Sequence, residues 1–311
     1  MIRDLSHVRV PETLAWGVGL AVVTAVISGV SIFVNAFAVK QLPDPAVYTT
    51  VKNGFAALLL LGLAAAAVKP ADVRAIDRNA WARLLAIGVI GGSVPFILFF
   101  AGLAQASAPS AAFIHKTLFV WVALLAVPFL GERLGLLQLG ALGVLLAGQV
   151  LVIKPAGIVW GAGETMIAAA TLLWAVESVV ARRVLGSVPS PVVGAARLGF
   201  GLVVLVAYLA VAGKLGSIAA LSSGQWAWAM GTGLLLSGYV ASWFAALKRA
   251  PASVVTAILV VGAPITAALQ AIQAGALPAA PVLAGQLLIA IAAVGLIAWA
   301  RRRGAPAAVA A

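Results

Sequence analysis

The chain has 311 residues, of which 64% are hydrophobic and 9% charged, and its mean hydropathy is +1.15. Soluble domains contain roughly 45 to 50% apolar residues, so this composition predicts an integral membrane protein. The absence of cysteine excludes disulfides and thiolate chemistry, and the two histidines cannot form a zinc site alone. The net charge of +12 does not indicate nucleic-acid binding, because the cations lie in short segments between apolar runs. We expect no cofactor and no nucleic-acid partner.

Apolar runs separated by charged residues, proline and glycine predict the membrane spans. A helix needs about 20 mainly apolar residues to cross a hydrocarbon core of about 30 Å. No alternating β-barrel pattern is present, so the spans are predicted to be helices. The polar N-terminal segment, residues 1–13, argues against a cleaved signal peptide. Ten predicted spans begin near Leu14, Ala46, Trp81, Pro109, Leu134, Val159, Pro191, Trp226, Pro251 and Pro281.

Lysine and arginine residues in alternate connecting segments predict the orientation of these spans. With the N-terminus inside, the inner segments hold 14 of these cations and the outer segments hold only Lys40, Lys154 and Lys214. The positive-inside rule then predicts that both termini, including the basic tail at residues 301–311, face the cytoplasm. The inner membrane is the expected location for a bacterial protein of this kind.

The two halves of the sequence match at a shift of about 144 residues. Each predicted repeat, at residues 14–155 and 156–300, holds five spans, and this odd number requires the second repeat to insert upside down. Inverted repeats are typical of secondary transporters that bind their substrate near the membrane midplane. We therefore predict an all-α membrane protein of ten transmembrane helices in two inverted five-helix repeats. The clearest matches pair residues 16–19 (WGVG) with 160–163 (WGAG), and 52–55 (KNGF) with 197–200 (RLGF).

The segment between the fourth and fifth spans carries a recognisable motif. Residues 129–134 read FLGERL, and residues 138–141 (QLGA) and Gly148 follow. This stretch resembles the ten-helix EamA family of the drug/metabolite transporter superfamily, and the resemblance extends from Ala15 to Ala300. The second copy of the motif is degenerate, because residues 274–278 (AGALP) lack the glutamate.

This resemblance implies export of a small metabolite by alternating access, and the YddG-type amino-acid exporters are the nearest subgroup. The expected substrate is an amino acid with an aromatic or other apolar side chain, bound in a central cavity. The expected partners are this small-molecule substrate and the lipid bilayer, and the chain is expected to act as a monomer. Small multidrug-resistance relatives use a glutamate in their first helix to carry protons. The first span here has none, so their mechanism is not transferred.

Ionisable residues inside the spans are the first candidates for a substrate site, because such residues are costly in lipid and usually functional. His115 and Lys116 interrupt the fourth span, where the ammonium can hold a carboxylate and the imidazole can form a hydrogen bond. Snorkelling of Lys116 to the interface is the alternative. The second repeat has no ionisable counterpart of this pair, which favours substrate handling. Lys52 poses the same choice in the second span, and Arg197 is its repeat counterpart.

Further candidates are aromatic or amide side chains. The indole N–H of a buried tryptophan needs a partner, which favours Trp121 and Trp174 as cavity residues. Tyr239 and Trp243 lie one turn apart on the eighth span and present an aromatic face, with simple packing as the alternative. The predicted substrate-binding residues are His115, Lys116, Trp121, Trp174, Tyr239, Trp243, Asn35 and Lys52.

Glu177 and Arg197 lie at similar depth in the sixth and seventh spans. They are predicted to form either a structural ion pair or a proton-carrying site. Pro95 in the third span and Pro264 in the ninth lie near mid-span, where proline removes a backbone hydrogen bond and bends the helix, so both are predicted hinges or passive kinks. Gly88 and Gly92, by their spacing, indicate a close helix contact. No catalytic or metal-binding residue is predicted.

Several other functions fit the sequence less well. One alternative is an exporter or importer of another solute class, such as a drug, a nucleobase or a sugar derivative. An anion channel would also suit lysine-containing spans. An intramembrane enzyme is disfavoured, because no Gly-X-Ser-Gly, paired aspartate or histidine-rich motif is present, and we expect no enzymatic activity. Proton coupling and facilitated diffusion are both compatible with the sequence.

Overall fold

The computed structural model describes residues 10–42, 44–103, 105–106, 108–153 and 160–304, and all regular structure within these ranges is helical. Lys154 and Val159 lie outside the described residues. The helices are α1 (Val10–Gln41), α2 (Pro45–Ala67), α3 (Pro70–Arg74), α4 (Arg78–Gly92), α5 (Val94–Leu103), α6 (Ala108–Lys116), α7 (Leu118–Leu130), α8 (Leu136–Ile153), α9 (Ala162–Val184), α10 (Ser190–Val211), α11 (Gly216–Ala219), α12 (Ser223–Arg249), α13 (Ala252–Leu259), α14 (Gly262–Ala274) and α15 (Ala280–Gly304).

These helices form the predicted apolar segments. The third span consists of α4 and α5, the fourth of α6 and α7, and the ninth of α13 and α14, whereas the other spans are single helices. Nine segments in the described ranges are long and apolar enough to cross a membrane, and Leu136–Val152 within α8 is a shorter apolar helix. The prediction of an all-helical, multi-span membrane protein is therefore confirmed. The inverted orientation of the repeats, their boundaries and the cytoplasmic position of the termini remain predictions.

The helices of the two halves pack against each other in a reciprocal pattern. The first span packs on the eighth, and its repeat counterpart, the sixth span, packs on the third. The second span packs on the seventh, and the fifth span packs on the tenth. The third and seventh spans also pack together, and glycines allow their close approach, because a Cβ atom on Gly92 would collide with the carbonyl oxygen of Arg197. A Cβ atom on Gly88 would likewise collide with Phe200. The close helix contact predicted for Gly88 and Gly92 is confirmed.

The fourth and ninth spans are interrupted at equivalent positions. Thr117 separates α6 from α7, and Val260 and Val261 separate α13 from α14. Thr117 and Val261 are 144 residues apart, which is the shift of the internal repeat. Gly131 and Gly275 end α7 and α14 at the same shift, and both adopt the left-handed conformation, with φ of 67° and 62°. Glycine reaches this conformation at no steric cost, so the two spans end in the same way.

Both predicted hinge prolines lie in the first turn after an interruption. Pro95 follows the break between α4 and α5 at Ser93, and Pro264 follows the break between α13 and α14. The first turn of a helix tolerates proline because its amides have no partner within the helix. The helices are therefore interrupted next to both prolines, and bending or movement about them remains a prediction.

Asp44 links the start of the second span to the segment that follows the seventh. Its carboxylate accepts hydrogen bonds from the amides of Ala46 and Val47 at 2.7 and 3.2 Å, and from the Lys214 ammonium at 2.7 Å. Partial burial acts to raise the pKa of this carboxyl, but Lys214 and the two amides hold the pKa below its ordinary value of 3.8. A lowered folded-state pKa means that the carboxylate stabilises the fold above the unfolded-state pKa.

We expect Asp44→Ala to lower the free energy of unfolding at pH 7 by about 1 kcal/mol, because a helix cap and an exposed ion pair are lost. The deficit should shrink as the pH falls below about 4, where the parent carboxyl becomes protonated. Unfolding in detergent at several pH values measures this, with the exposed Asp72→Ala as control. A deficit that stays constant through acid titration would contradict the prediction.

Candidate substrate site in the membrane interior

The break in the third span leaves one backbone carbonyl without its helical partner. Pro95 has no amide, so the carbonyl of Gly91, four residues earlier, lacks the hydrogen bond of a continuous helix. This carbonyl accepts hydrogen bonds from Trp174 Nε1 and from Arg197 Nη2, both at 3.1 Å. One carbonyl group thereby orients side chains from the sixth and seventh spans.

Arg197 and Glu177 form a buried ion pair beside this carbonyl. Arg197 Nε lies 2.8 Å from Glu177 Oε1, Arg197 Nη2 donates to Glu177 Oε2 at 3.3 Å, and the two side chains are 6% and 3% exposed. A Cβ atom at residue 91 would collide with the Glu177 carboxylate, so glycine is needed there. The geometry is that of the predicted ion pair, and a proton-carrying role for it remains a prediction.

Trp174 also belongs to an aromatic cluster of four ring side chains from three spans. The ring centroid of His115 lies 5.1 Å from that of Trp174 and 5.2 Å from that of Phe99. Phe96 lies 5.3 Å from Trp174 in an edge-on arrangement. Nδ1 of His115 is buried and has no hydrogen-bond partner in the described part of the chain. A polar atom without a partner among aromatic faces is available to a ligand.

Lys52 lies next to this cluster with an amide, rather than a carboxylate, as its partner. Its Nζ donates to Asn35 Oδ1 at 3.4 Å and lies 5.0 Å from the Tyr48 ring and 6.0 Å from the Phe96 ring. The Tyr48 hydroxyl lies 2.5 Å from the same Asn35 oxygen and 2.8 Å from Thr232 Oγ1. Lys52 is buried and forms no ion pair with any acidic residue that the structure describes.

Phe96 connects these groups, since its ring contacts both Lys52 and Trp174. We call this set the interior site, and it consists of Asn35, Lys52, Phe96, Phe99, His115 and Trp174.

Lys116, at the end of α6, is not part of the interior site. Its side chain is half-buried and makes no hydrogen bond or ion pair within the described ranges.

The remaining aromatic candidates make no ring contact with the interior site within the described residues. Trp121 is 40% exposed, and its indole donates to Thr117 of its own span at 3.0 Å. Tyr239 and Trp243 stack with centroids 6.1 Å apart, and Trp243 packs within the main hydrophobic core. The shared face predicted for Tyr239 and Trp243 is present, although no ring contact joins it to the interior site among the described residues.

Sequence reasoning missed Phe96 and Phe99, as well as the carbonyl of Gly91. A signal was present, because Pro95 identifies residue 91 as the position whose carbonyl loses its amide partner. The two phenylalanines follow that proline in the run PFILFF at residues 95–100. The sequence of an apolar span does not show which of its aromatic side chains face the protein interior. Only the packed structure shows that Phe96 and Phe99 do so.

An apolar helical bundle with charged and aromatic groups in its interior defines a multi-span membrane protein of the transporter type. The model of the EamA-like transporter family matches residues 15–154 and again residues 161–300. The chain therefore belongs to the EamA-like transporter family, whose members are membrane transporters. The resemblance inferred from the FLGERL motif is confirmed at the level of the family.

Comparison with solved structures supports the same fold. Among 29 matching chains, one titled only "Crystal structure of protein" has a TM-score of 0.72 at 19% identity, covering 91% of this chain and 98% of that chain. At this identity the likeness concerns the fold alone. No curated protein matches the sequence.

Proposed function

We propose that this protein is an exporter of amino acids with aromatic or other apolar side chains, similar to the YddG-type exporters. It acts as a monomer in the inner membrane and uses alternating access through the interior site. Transport is driven either by proton coupling through Glu177 and Arg197 or, in facilitated diffusion, by the substrate gradient alone.

The observation that carries this proposal is the charge of Lys52. Arg197, its repeat counterpart, is neutralised by Glu177 of the preceding span. Lys52 instead meets the neutral amide of Asn35, also from the preceding span. An uncompensated charge inside a membrane protein is costly, and a substrate carboxylate is a suitable counter-ion.

The surroundings of Lys52 supply the other features that an apolar amino acid needs. Phe96, Phe99 and Trp174 offer ring faces to an aromatic or aliphatic side chain. Lys116 and the free Nδ1 of His115 add further donor capacity on the fourth span.

Counterflow in liposomes tests the proposal directly. Purified protein is reconstituted and loaded with unlabelled solute, and uptake of labelled amino acids, nucleobases and sugars is measured under imposed pH gradients. We expect saturable counterflow of phenylalanine- or leucine-like amino acids and little movement of the corresponding amines without a carboxylate.

Protein-free liposomes and the interfacial variant Lys40→Ala serve as controls. If no amino acid moves, the proposed substrate class is wrong, and saturable movement of another solute would identify the alternative. Flux that does not saturate would indicate a channel. Acidification of the partner compartment on substrate addition would support proton antiport over facilitated diffusion.

A further inference from the structure

Glu132, in the FLGERL motif, connects two spans that are distant in sequence. Its Oε1 accepts a hydrogen bond from the amide of Ala252 at 2.6 Å. Its Oε2 accepts from the amide and the hydroxyl of Ser253 at 3.2 and 2.5 Å. The carboxylate therefore caps the N-terminus of α13, where free amides and the helix dipole favour a negative charge. The segment that follows the fourth span is thus bonded to the first turn of the ninth.

The fourth and ninth spans meet at the end where Glu132 lies and separate towards the other end. Their segments α7 and α13 pack together, and Phe119, Ala257 and Val260 share one buried cluster. Their other segments, α6 and α14, make no comparable contact in the described ranges, because α6 packs on α9 and α14 packs on α1. The interruptions at Thr117 and Val261 lie near the point where the two spans part, so direct contact between the spans is confined to the end where Glu132 lies.

The second repeat lacks the groups for the same bond at the opposite end. At the repeat shift of 144 residues, the counterpart of Glu132 is Ala276 and that of Ser253 is Pro109. Alanine has no carboxylate, and proline has no amide to donate. The equivalence of Gly131 and Gly275 shows that the two loops begin alike, so the difference lies in these side chains.

We propose that Glu132 is a one-sided latch that favours the conformer open at the end opposite the chain termini. This inference rests on the proposed function, because alternating access requires α7 and α13 to part. Parting them breaks the three hydrogen bonds of Glu132, whereas the equivalent closure at the opposite end forms none of this kind. The bond between Arg183 and the Phe129 carbonyl holds α7 to α9 and is not part of the latch.

Single-cysteine labelling tests the latch without any substrate. The chain has no cysteine, so each introduced thiol is the sole reporter. Ala257→Cys places a reporter in the closed contact and Ala111→Cys places one in α6, and both positions are 1% exposed. The rate of reaction with a polar maleimide is measured in detergent for each reporter, in the parent and in the Glu132→Ala variant.

We expect Glu132→Ala to increase the labelling rate at Ala257→Cys by at least about 10-fold, because three hydrogen bonds to the carboxylate are lost and one charge-assisted hydrogen bond alone is worth about that factor. The rate at Ala111→Cys should remain unchanged. Glu132→Gln, which retains one acceptor oxygen, should have an intermediate effect. Arg133→Ala, a change of the neighbouring exposed charge, is the matched control and should have no effect.

Two results would overturn the latch. One is an unchanged labelling rate at Ala257→Cys in the Glu132→Ala variant. The other is an equal increase at both reporters, which would show that Glu132 only stabilises the fold by capping a helix. If liposomes transport no amino acid but the labelling result is positive, the latch stands and only the proposed substrate class is wrong.

Discussion

Arg197→Met should destabilise the protein by about 3 to 5 kcal/mol, the cost of leaving a buried charge without its partner. Glu177 is 2% exposed, and Arg197 is its only ion-pair partner among the described residues. The substitution also removes one of the two donors to the Gly91 carbonyl. Methionine replaces the aliphatic stem of arginine, so the loss reflects mainly the missing guanidinium group with its charge and its hydrogen bonds.

A second substitution separates these effects. Arg197→Met with Glu177→Gln leaves no unpaired charge, so we expect the double variant to recover much of the lost stability. Unfolding in detergent measures each change, and Lys214→Ala, which removes a solvent-exposed cation from its pair with Asp44, is a control expected to cost much less stability. A single variant as stable as the parent, or a double variant no better than the single, would show that the pair contributes little.

Lys52→Met changes the position of the first repeat that is equivalent to Arg197. In contrast to Arg197→Met, it should weaken substrate binding without lowering stability. We expect it to lower the apparent affinity for amino acids about 10- to 100-fold, because a charge-assisted hydrogen bond to the substrate carboxylate is lost. Stability should remain the same or increase, since Lys52 has no counter-ion to leave behind. Two cations at equivalent positions are thus expected to differ, one being needed for stability and the other for transport.

Concentration dependence of counterflow and unfolding in detergent measure the two effects. Lys52→Arg retains the charge and should preserve more transport than Lys52→Met, and Lys40→Ala is the control outside the interior. Lys52→Met should also reduce discrimination between an amino acid and its decarboxylated amine. If Lys52→Met transports like the parent while Lys116→Ala does not, the carboxylate binds at Lys116 and the role given to Lys52 is wrong.

The amino-acid sequence alone was sufficient to predict the membrane-protein class, the apolar segments and the family. These properties depend on local composition and short motifs. The hydropathy of a span can be calculated from its sequence, whichever helices the span packs against. The internal repeat was also readable, but the breaks at Thr117 and Val261 were not predicted, because no local pattern marks them. Pro95 and Pro264 indicated two interrupted helices, because proline cannot donate a backbone hydrogen bond.

The tertiary structure alone decided which side chains meet. A helix that is apolar on every side has no periodic pattern to show which face is inward, and adjacent residues point about 100° apart. The sequence therefore predicted Lys52, His115 and Trp174 as site residues but not which of them lie together. It did not single out Phe96 or Phe99. The packed helices joined these residues into one site, neutralised Arg197 but not Lys52, and bonded Glu132 to a helix 120 residues away. Each of these contacts joins residues far apart in the chain, so their geometry arises only when the spans pack together.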